Sequence, residues 1–391
     1  MQIWDLNLRH LEAIARIADL GTMNAAARSV NLTQPAITQA LARTEALVGA
    51  QLFERRYDGM VPTPAAQLLV PRIGAALDRI AGAHVPPAHM TMSRLRALLA
   101  LADAGSYNAA RGTTGLSLPS LHRAVGDLSL ALRRRLAERR GKVVVLTEAG
   151  HALARALRLA RLELEAGLAE LEAMRGHETR SITVGAMPLS RARVLPAAIA
   201  RFLRRHPQVR VSIVEGSRAE LVEPLRNGMI DLMVGALRDP LLEPDLVQQP
   251  LFRSVPAVIA RSGHPLAGGR PSLAQLAAYP WVVGPSGAPL RERWERVFAG
   301  AGLARPSVPV ESGSAMIIRQ LLLDSDFLSI LAQDQVAVEL EAGWLTTIGA
   351  APPGLERMIG FTARVSWRPT AVQAAFVGVL ETVATDVGFP A

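Results

Sequence analysis

The 391-residue chain contains no cysteine, which removes disulfide frameworks, thiolate metal sites and thiol nucleophiles together and fits a reducing compartment. Aromatic residues make up only 4% of it, and one lysine, Lys142, stands among 43 basic residues. Such reliance on arginine reflects genome composition as readily as function, so it excludes nothing. No stretch stays apolar for the ~20 residues of a membrane helix. The opening Met1-Gln2-Ile3-Trp4-Asp5-Leu6-Asn7-Leu8-Arg9 also lacks the basic patch and apolar run of an export signal. The expectation is a cytoplasmic protein with no membrane partner. His-Glu-x-x-His, Gly-x-Ser-x-Gly and Walker patterns are missing and the eight histidines are scattered. No catalytic set, metal site or cofactor is therefore expected.

Half of the residues are apolar, enough to pack cores, and at ~100–200 residues per domain the length suggests two to four domains. The net charge of +9 divides as +1 for residues 1–90, +6 for 91–180 and +2 for 181–391. An excess in the middle segment suits a phosphate-binding surface, with a solvated basic face as the alternative.

An internal repeat organises the first half. Gly21-Thr22-Met23-Asn24-Ala25-Ala26 recurs as Gly105-Ser106-Tyr107-Asn108-Ala109-Ala110, and Leu52-Phe53-Glu54-Arg55-Arg56 as Leu136-Ala137-Glu138-Arg139-Arg140. Both pairs are 84 residues apart, and the same offset matches Leu11 with Leu95, Pro35 with Pro119 and Val61-Pro62-Thr63 with Val145-Leu146-Thr147. Register kept through core, turn and hairpin reads as two copies of one domain.

In the first copy Leu8, Leu11, Ile14, Ala15 and Ala18 have helical spacing up to Gly21, a C-capping glycine. Thr22 caps a short helix from Asn24 to Val30, and Thr33 caps a third with Pro35 in its first turn. Two helices joined by a short turn make a helix-turn-helix. Beyond Gly49, two short segments flank Arg55-Arg56-Tyr57-Asp58-Gly59, whose Asp-Gly pair signals a hairpin wing. Thr33-Gln34-Pro35-Ala36-Ile37-Thr38, with Gly21 to Ala27 before it and Leu52-Phe53-Glu54-Arg55 after it, resembles the signature of LysR-type transcriptional regulators. The repeated N-terminal domain departs from that family's single copy.

Residues 64–83 carry Leu68, Leu69, Ile73, Leu77 and Ile80 on one stripe before Val85-Pro86-Pro87 breaks the helix. Glu148 to Met174 is a longer helix with Leu153, Leu157, Ala160, Leu164, Leu168 and Leu171 on one face. The resemblance implies that this helix pairs two subunits; packing on its own domain is the alternative. From Ser181, strands alternate with helices, which implies parallel strands with helical crossovers. The expected fold is α/β overall: two winged helix-turn-helix domains with linker helices, then a two-lobed α/β effector domain similar to periplasmic solute-binding proteins. The expected domains are 1–63 for the first head, 64–90 for a linker helix and Pro-rich connector, and 91–147 for the second head. A dimerisation helix at 148–178 and an effector domain at 181–391 follow, its lobe I about 181–257 and 357–391 and its lobe II about 258–356.

For double-stranded promoter DNA, the first turns of a major-groove helix reach base edges. Thr33, Gln34, Pro35, Ala36, Thr38, Gln39 and Arg43 occupy them in copy one: Gln34 suits adenine, Ala36 a thymine methyl, and Arg55 and Arg56 suit phosphates. Copy two changes this face. Leu118 replaces the glutamine, and Ser117, Ser120, His122 and Arg123 remain polar, with Arg139, Arg140 and Lys142 on its wing. DNA contact there competes with a role in packing. For the effector, loops at strand ends offer Leu189, Ser190, Arg191, Gly216, Ser217, Ser286, Gly287, Ala288, Pro289, Ser312 and Gly313. The serines supply donors, the helix start near Pro289 favours an anion, and Arg191, Arg193, Arg218 and Arg291 lie nearby. The expected ligand is an organic acid, an aromatic one among the candidates. The family implies a homodimer or dimer of dimers, with RNA polymerase as a further partner. A solute-binding protein or an effector-sensing scaffold with degenerate DNA binding is the alternative reading, and an enzyme the distant one.

Overall fold

The computed structural model describes residues 3–83, 91–141, 143–176, 181–350 and 353–387, so the Pro-rich connector of the sequence reading and Lys142 lie outside the described residues. The chain divides into two compact units, Met1–Arg180 and Ser181–Ala391.

The first unit opens with α1 (Leu8–Leu20), α2 (Met23–Ser29), α3 (Gln34–Val48), β1 (Phe53–Arg56), β2 (Gly59–Pro62) and α4 (Pro64–Gly82). The helices begin where the side chains allow. Asn7, Thr22, Thr33 and Thr63 each accept a hydrogen bond from a backbone N–H of the first turn, and Gly21 and Gly49 end α1 and α3 in the left-handed conformation. The strands β1 and β2 pair antiparallel around Tyr57-Asp58. Gly59 has a φ of +144°, and a Cβ there would lie 2.6 Å from the Gly21 carbonyl oxygen. That oxygen accepts the Met60 N–H at 2.7 Å, so the wing is pinned to the turn between α1 and α2 at a spot only glycine fits.

The same order then recurs as α5 (Met92–Ala104), α6 (Tyr107–Thr114), α7 (Leu118–Ala131), β3 (Ala137–Arg140), β4 (Val143–Leu146) and α8 (Glu148–Met174). Thr91, Ser106, Ser117 and Thr147 cap its helices at the positions equivalent to the first set. One apolar cluster runs through both sets of elements.

The stripe on α8 ends inside this cluster. Leu153, Leu157, Ala160, Leu164 and Leu171 are buried, as are Leu69, Ile73, Ala76 and Ile80 of α4. Arg72 donates to Glu163 (3.0 Å) and Glu170 (2.8 Å), and Arg79 to Glu163 (3.1 Å). The partners on α8 fall in number as those on α4 rise, so the two helices run antiparallel. A Cβ on Gly167 would lie 2.9 Å from Leu69 Cδ1 and 3.1 Å from Arg72 Cβ, which measures how closely they approach. Past the end of α8, Arg175 donates to Val48 O at 2.6 Å and caps the C-terminus of α3. The family resemblance implies a second subunit for this stripe, with packing on its own domain as the alternative. Its apolar face is covered within the chain, so the need to keep it from water no longer argues for a dimer seam at residues 148–174.

The second unit holds β5 (Ser181–Ala186), α9 (Val194–Arg205), β6 (Arg210–Glu215), α10 (Arg218–Arg226), β7 (Leu232–Ala236) and β8 (Leu246–Ser254). The chain continues through β9 (Pro256–Arg261), α11 (Leu273–Ala277), β10 (Val282–Val283), α12 (Pro289–Gly300), β11 (Val310–Glu311) and α13 (Ala315–Leu323). It closes with β12 (Ser329–Ala332), α14 (Ala337–Glu341), β13 (Leu345–Thr347), β14 (Arg357–Arg364) and α15 (Ala371–Val387). The first sheet has the order β6-β5-β7-β14-β8, with β5, β6 and β7 parallel and β14 and β8 antiparallel to their neighbours. The sheet β12-β9-β13 and the parallel pair β10-β11 build the second lobe. Each lobe has its own core: Phe202 and Phe376 edge to face in the first, Trp281, Trp294 and Phe298 in the second.

Candidate functional site

The amphipathic split of α3 decides which side chains can reach a partner. Ile37, Ala40, Leu41 and Thr44 are buried, while Gln34, Pro35, Thr38, Gln39 and Arg43 are exposed with Thr33 ahead of them, and Ala36 is half-buried. Thr33 accepts the Ala36 N–H and Thr38 donates to Gln34 O at 3.1 Å. Among the described residues no hydrogen bond ties down the side chains of Gln34, Gln39 and Arg43, which are exposed. Arg55 and Arg56 are exposed on the wing, Arg56 beside Glu54 at 3.1 Å, an exposed pair that water and salt readily exchange.

On α7, Ser117 caps the Ser120 N–H at 3.3 Å and the two hydroxyls lie 2.8 Å apart. Ser120, His122 and Arg123 are exposed and Leu118 is half-buried. The His122 ring rests on buried Tyr107 with centroids 3.8 Å apart, so it is held by one face. Arg139 donates to Gly141 O and Arg140 to Glu138 on the second wing. The sequence reading overlooked Asp127, which stands where α3 has Arg43. It pairs with Arg94 at 3.3 Å and puts a negative charge where copy one offers a positive one. The offset of 84 residues was enough to find it.

In the second unit the loops gather in two groups. Arg191 donates to Ala186 O (3.0 Å), Glu215 (2.8 Å) and Gly216 O (3.4 Å), joining the ends of β5 and β6. Buried Ser190 donates to Met187 O at 2.9 Å, Leu189 packs with Ala332 and Ile359, and Ser217 forms a capping box with Glu220. In the other group the Ser312 N–H donates to Val283 O at 2.9 Å, the Ser312 hydroxyl accepts the Ser314 N–H, and Gly313 is exposed. Ser286 and Gly287 are exposed ahead of α12, whose N-cap Ala288 gives no side-chain bond and whose first residue is Pro289.

The arginines expected to neutralise a ligand are mostly engaged. Arg191 pairs with Glu215 and Arg218 with Glu243 (2.6 Å). Arg291 is buried against Glu295 (2.7 Å) and over the Trp294 ring (4.9 Å). Other charges act on one another past β12. Asp334, just past β12, has Arg193 and Arg357 acting on it, and Arg293 acts on Arg357. Burial pushes Arg357 down to about 10, against the pull of Asp334 and with the help of Arg293. Burial likewise raises Asp334 above the ordinary carboxylate value. Arg357 Nε and Asp334 Oδ2 are buried without a hydrogen-bond partner among the described residues. A hollow of about 380 Å³ lined by Phe361, Trp367 and Glu381 includes none of the expected effector residues.

The fold and these surfaces define a regulator that joins helix-turn-helix DNA binding to an effector-binding unit. The model of the LysR substrate binding domain matches residues 175–385, and that of the bacterial regulatory helix-turn-helix protein, lysR family, matches residues 8–67 and 92–151. The chain belongs to the LysR family of DNA-binding transcriptional regulators. The HTH-type transcriptional regulator GalR of Pseudomonas putida is 33% identical over 388 residues, covering 97% of this chain and 98% of that protein. The SDS degradation transcriptional activation protein of a Pseudomonas species is 32% identical over 67% of this chain and 85% of its own length. Among solved structures, full-length LysG of Corynebacterium glutamicum with bound effector Arg has a TM-score of 0.56 at 18% identity, over 76% of this chain and 99% of its own. Full-length CbnR complexed with its target DNA has a TM-score of 0.52 at 22% identity, over 75% and 100%. The families and curated relatives are regulators, so the chain is not an enzyme.

Proposed function

We propose that the chain reads double-stranded promoter DNA with two winged helix-turn-helix heads, the second a divergent copy of the first, and that residues 181–391 sense a small organic anion. The observation that carries the DNA reading is α3 itself, capped at its start and leaving Gln34, Gln39 and Arg43 outward over a buried opposite face. Duplication is supported by equivalent caps, by two family matches at the offset of the repeat, and by LysG and CbnR. Those two use nearly all of their own length on three quarters of this chain, leaving room for another head. The second head contributes mainly phosphate contact through Arg123, Arg139, Arg140 and Lys142, because Asp127 and Leu118 weaken its base reading.

The anion reading is supported by Arg193 and Arg357, which both act on Asp334, in place of the engaged Arg191, Arg218 and Arg291. Aromatic acids belong to the class to be tried, and the regulated genes are metabolic by the analogy of the named relatives. The protein acts in the cytoplasm, where the chromosome lies, as a homo-oligomer with RNA polymerase as a further partner.

Binding to promoter DNA across a salt series tests the first reading. Log K should fall linearly with log salt, at a slope near −0.9 for each phosphate contacted. Replacing Arg123, Arg139, Arg140 and Lys142 with alanine should flatten the slope and leave base preference intact. An unchanged slope with smaller assemblies would make the second head a scaffold. Calorimetry with carboxylic acids and their amides tests the second reading, and binding of the amides alone would sink it.

A further inference from the structure

The repeat locates an axis on the pairing of α4 with α8. Advancing by 84 residues carries Leu69 to Leu153, Ile73 to Leu157, Ala76 to Ala160 and Ile80 to Leu164, all of them buried. It also carries Arg79 to Glu163, and these two touch each other at 3.1 Å. A residue in contact with its own counterpart marks a local two-fold, and here the counterparts have opposite charge. Arg72 adds a second link across the seam, to Glu163 and Glu170, with its side chain only 8% exposed.

Pairing like with like removes this match. In the same antiparallel geometry, α4 against α4 of a second chain would set Arg79 against Arg79 and Arg72 against Arg79, and the single carboxylate of α4, Asp78, is exposed. Pairing α8 with α8 would set Glu163 against Glu163. Either arrangement leaves charges buried beside their own kind, the most unfavourable state a seam can hold. Only α4 against α8 gives each of Arg72, Arg79, Glu163 and Glu170 a partner of opposite charge.

We propose that this charge-coded seam closes within one chain, so that a single chain presents an asymmetric pair of heads whose ligand is one DNA duplex carrying two unlike half-sites. The heads differ where they face outward: Gln34, Thr38, Gln39 and Arg43 on α3, against Leu118, His122, Arg123 and Asp127 on α7. A palindrome would match one head and mismatch the other. The inference rests on the DNA-reading assignment made above.

Two variants of the full chain test it, Arg72→Glu with Arg79→Glu, and Glu163→Arg with Glu170→Arg. Each should lose about tenfold or more in affinity for the duplex that the wild type selects from a random pool. All four substitutions in one chain should restore affinity to within about threefold. Co-expressing the two double variants should not, because each chain's own α4 and α8 still repel. Rescue in that mixture would mean that the seam forms between chains, and selection of a palindrome would mean that the heads read alike; either overturns the proposal. Thermal unfolding of the same proteins reads the seam without DNA. Loss with rescue only in the fourfold variant supports the seam even where no duplex binds, and equal stability of all variants overturns it.

Discussion

At equivalent places on the first and third helices, head one holds His10 and Arg43 where head two holds Arg94 and Asp127. Head two closes that site with an ion pair at 3.3 Å, while head one leaves two groups that repel when both are charged. The Thr38 hydroxyl lies by the Met23 sulfur in head one, and the His122 ring lies on Tyr107 in head two. Buried Phe53 and Ala66 correspond to half-buried Ala137 and to Gly150. Capping positions and most core positions keep their chemistry across the repeat, whereas Gln34, Thr38, Gln39 and Arg43 on the outward side of α3 do not. The same order of elements thus folds at both places for the same local reasons while its outward face is free to differ.

The largest expected effect concerns the linkers. Arg72→Ala leaves Glu163 and Glu170 buried with fewer partners and should cost about 3–5 kcal/mol in urea unfolding of the full chain. Its counterpart in head two is Ala156, where Ala→Gly should cost only about 0.5–1 kcal/mol of helix propensity. Comparable losses at the two sites would mean that the charges matter no more than helix formation does.

Next come the cores of the heads. In the head where Ala137 stands in place of Phe53, a Cβ on Gly150 would run into the Leu136 carbonyl oxygen. Gly150→Ala should destabilise by about 1–3 kcal/mol, although alanine is the native residue at position 66 of head one. A variant as stable as the wild type would show that the heads are packed alike after all.

The reading faces should differ in kind. Gln34→Ala is expected to lose about 1–3 kcal/mol of discrimination between selected and random duplexes, and Leu118→Ala none, since leucine offers a base edge no hydrogen bond. Equal losses of affinity on both duplexes for Gln34→Ala would remove α3 from base reading.

Much of this was legible in the sequence, because caps, helical stripes and the Asp-Gly hairpin are local signals that need no tertiary knowledge. Glu148 to Met174 is one helix as its stripe implies, and the alternation of strands and helices expected from Ser181 is met by β5, α9, β6, α10 and β7. What local pattern cannot say is which surface covers a stripe. The cover for α8 lies on α4, some 80–100 residues away, and only Arg79 and Glu163 at equivalent positions hinted at it. The strand β8 escaped notice because Gln248, Gln249 and Pro250 interrupt any alternation, which an edge strand tolerates. The arginines of the second unit misled for a related reason. Nearness in sequence to a loop did not reveal that Arg191, Arg218 and Arg291 already had carboxylate partners, nor that Arg193 and Arg357 act on Asp334.

The smallest effect returns to the pair that distinguishes the heads. Burial first and the Arg43 charge second hold His10 below the ordinary histidine value of 6.5. In the unfolded chain this histidine takes its proton at the ordinary value, so as pH falls the unfolded state binds the proton before the folded one does. Stability contributed at neutral pH is therefore lost as pH drops from the ordinary histidine range through the lowered value, and it levels off below that. Other groups titrate in the same range, so the difference between His10→Gln and the wild type is the quantity to follow. The variant should gain on the wild type as pH is lowered between about pH 7.5 and about pH 5. Adding Arg43→Ala to both proteins should shrink that gain, because one of the two causes is gone. Head two, with Arg94 in place of the histidine, has no equivalent response. A difference that stays flat across this range, with or without Arg43, would mean that the first and third helices of head one do not couple through charge, and the contrast between the heads would reduce to one of shape.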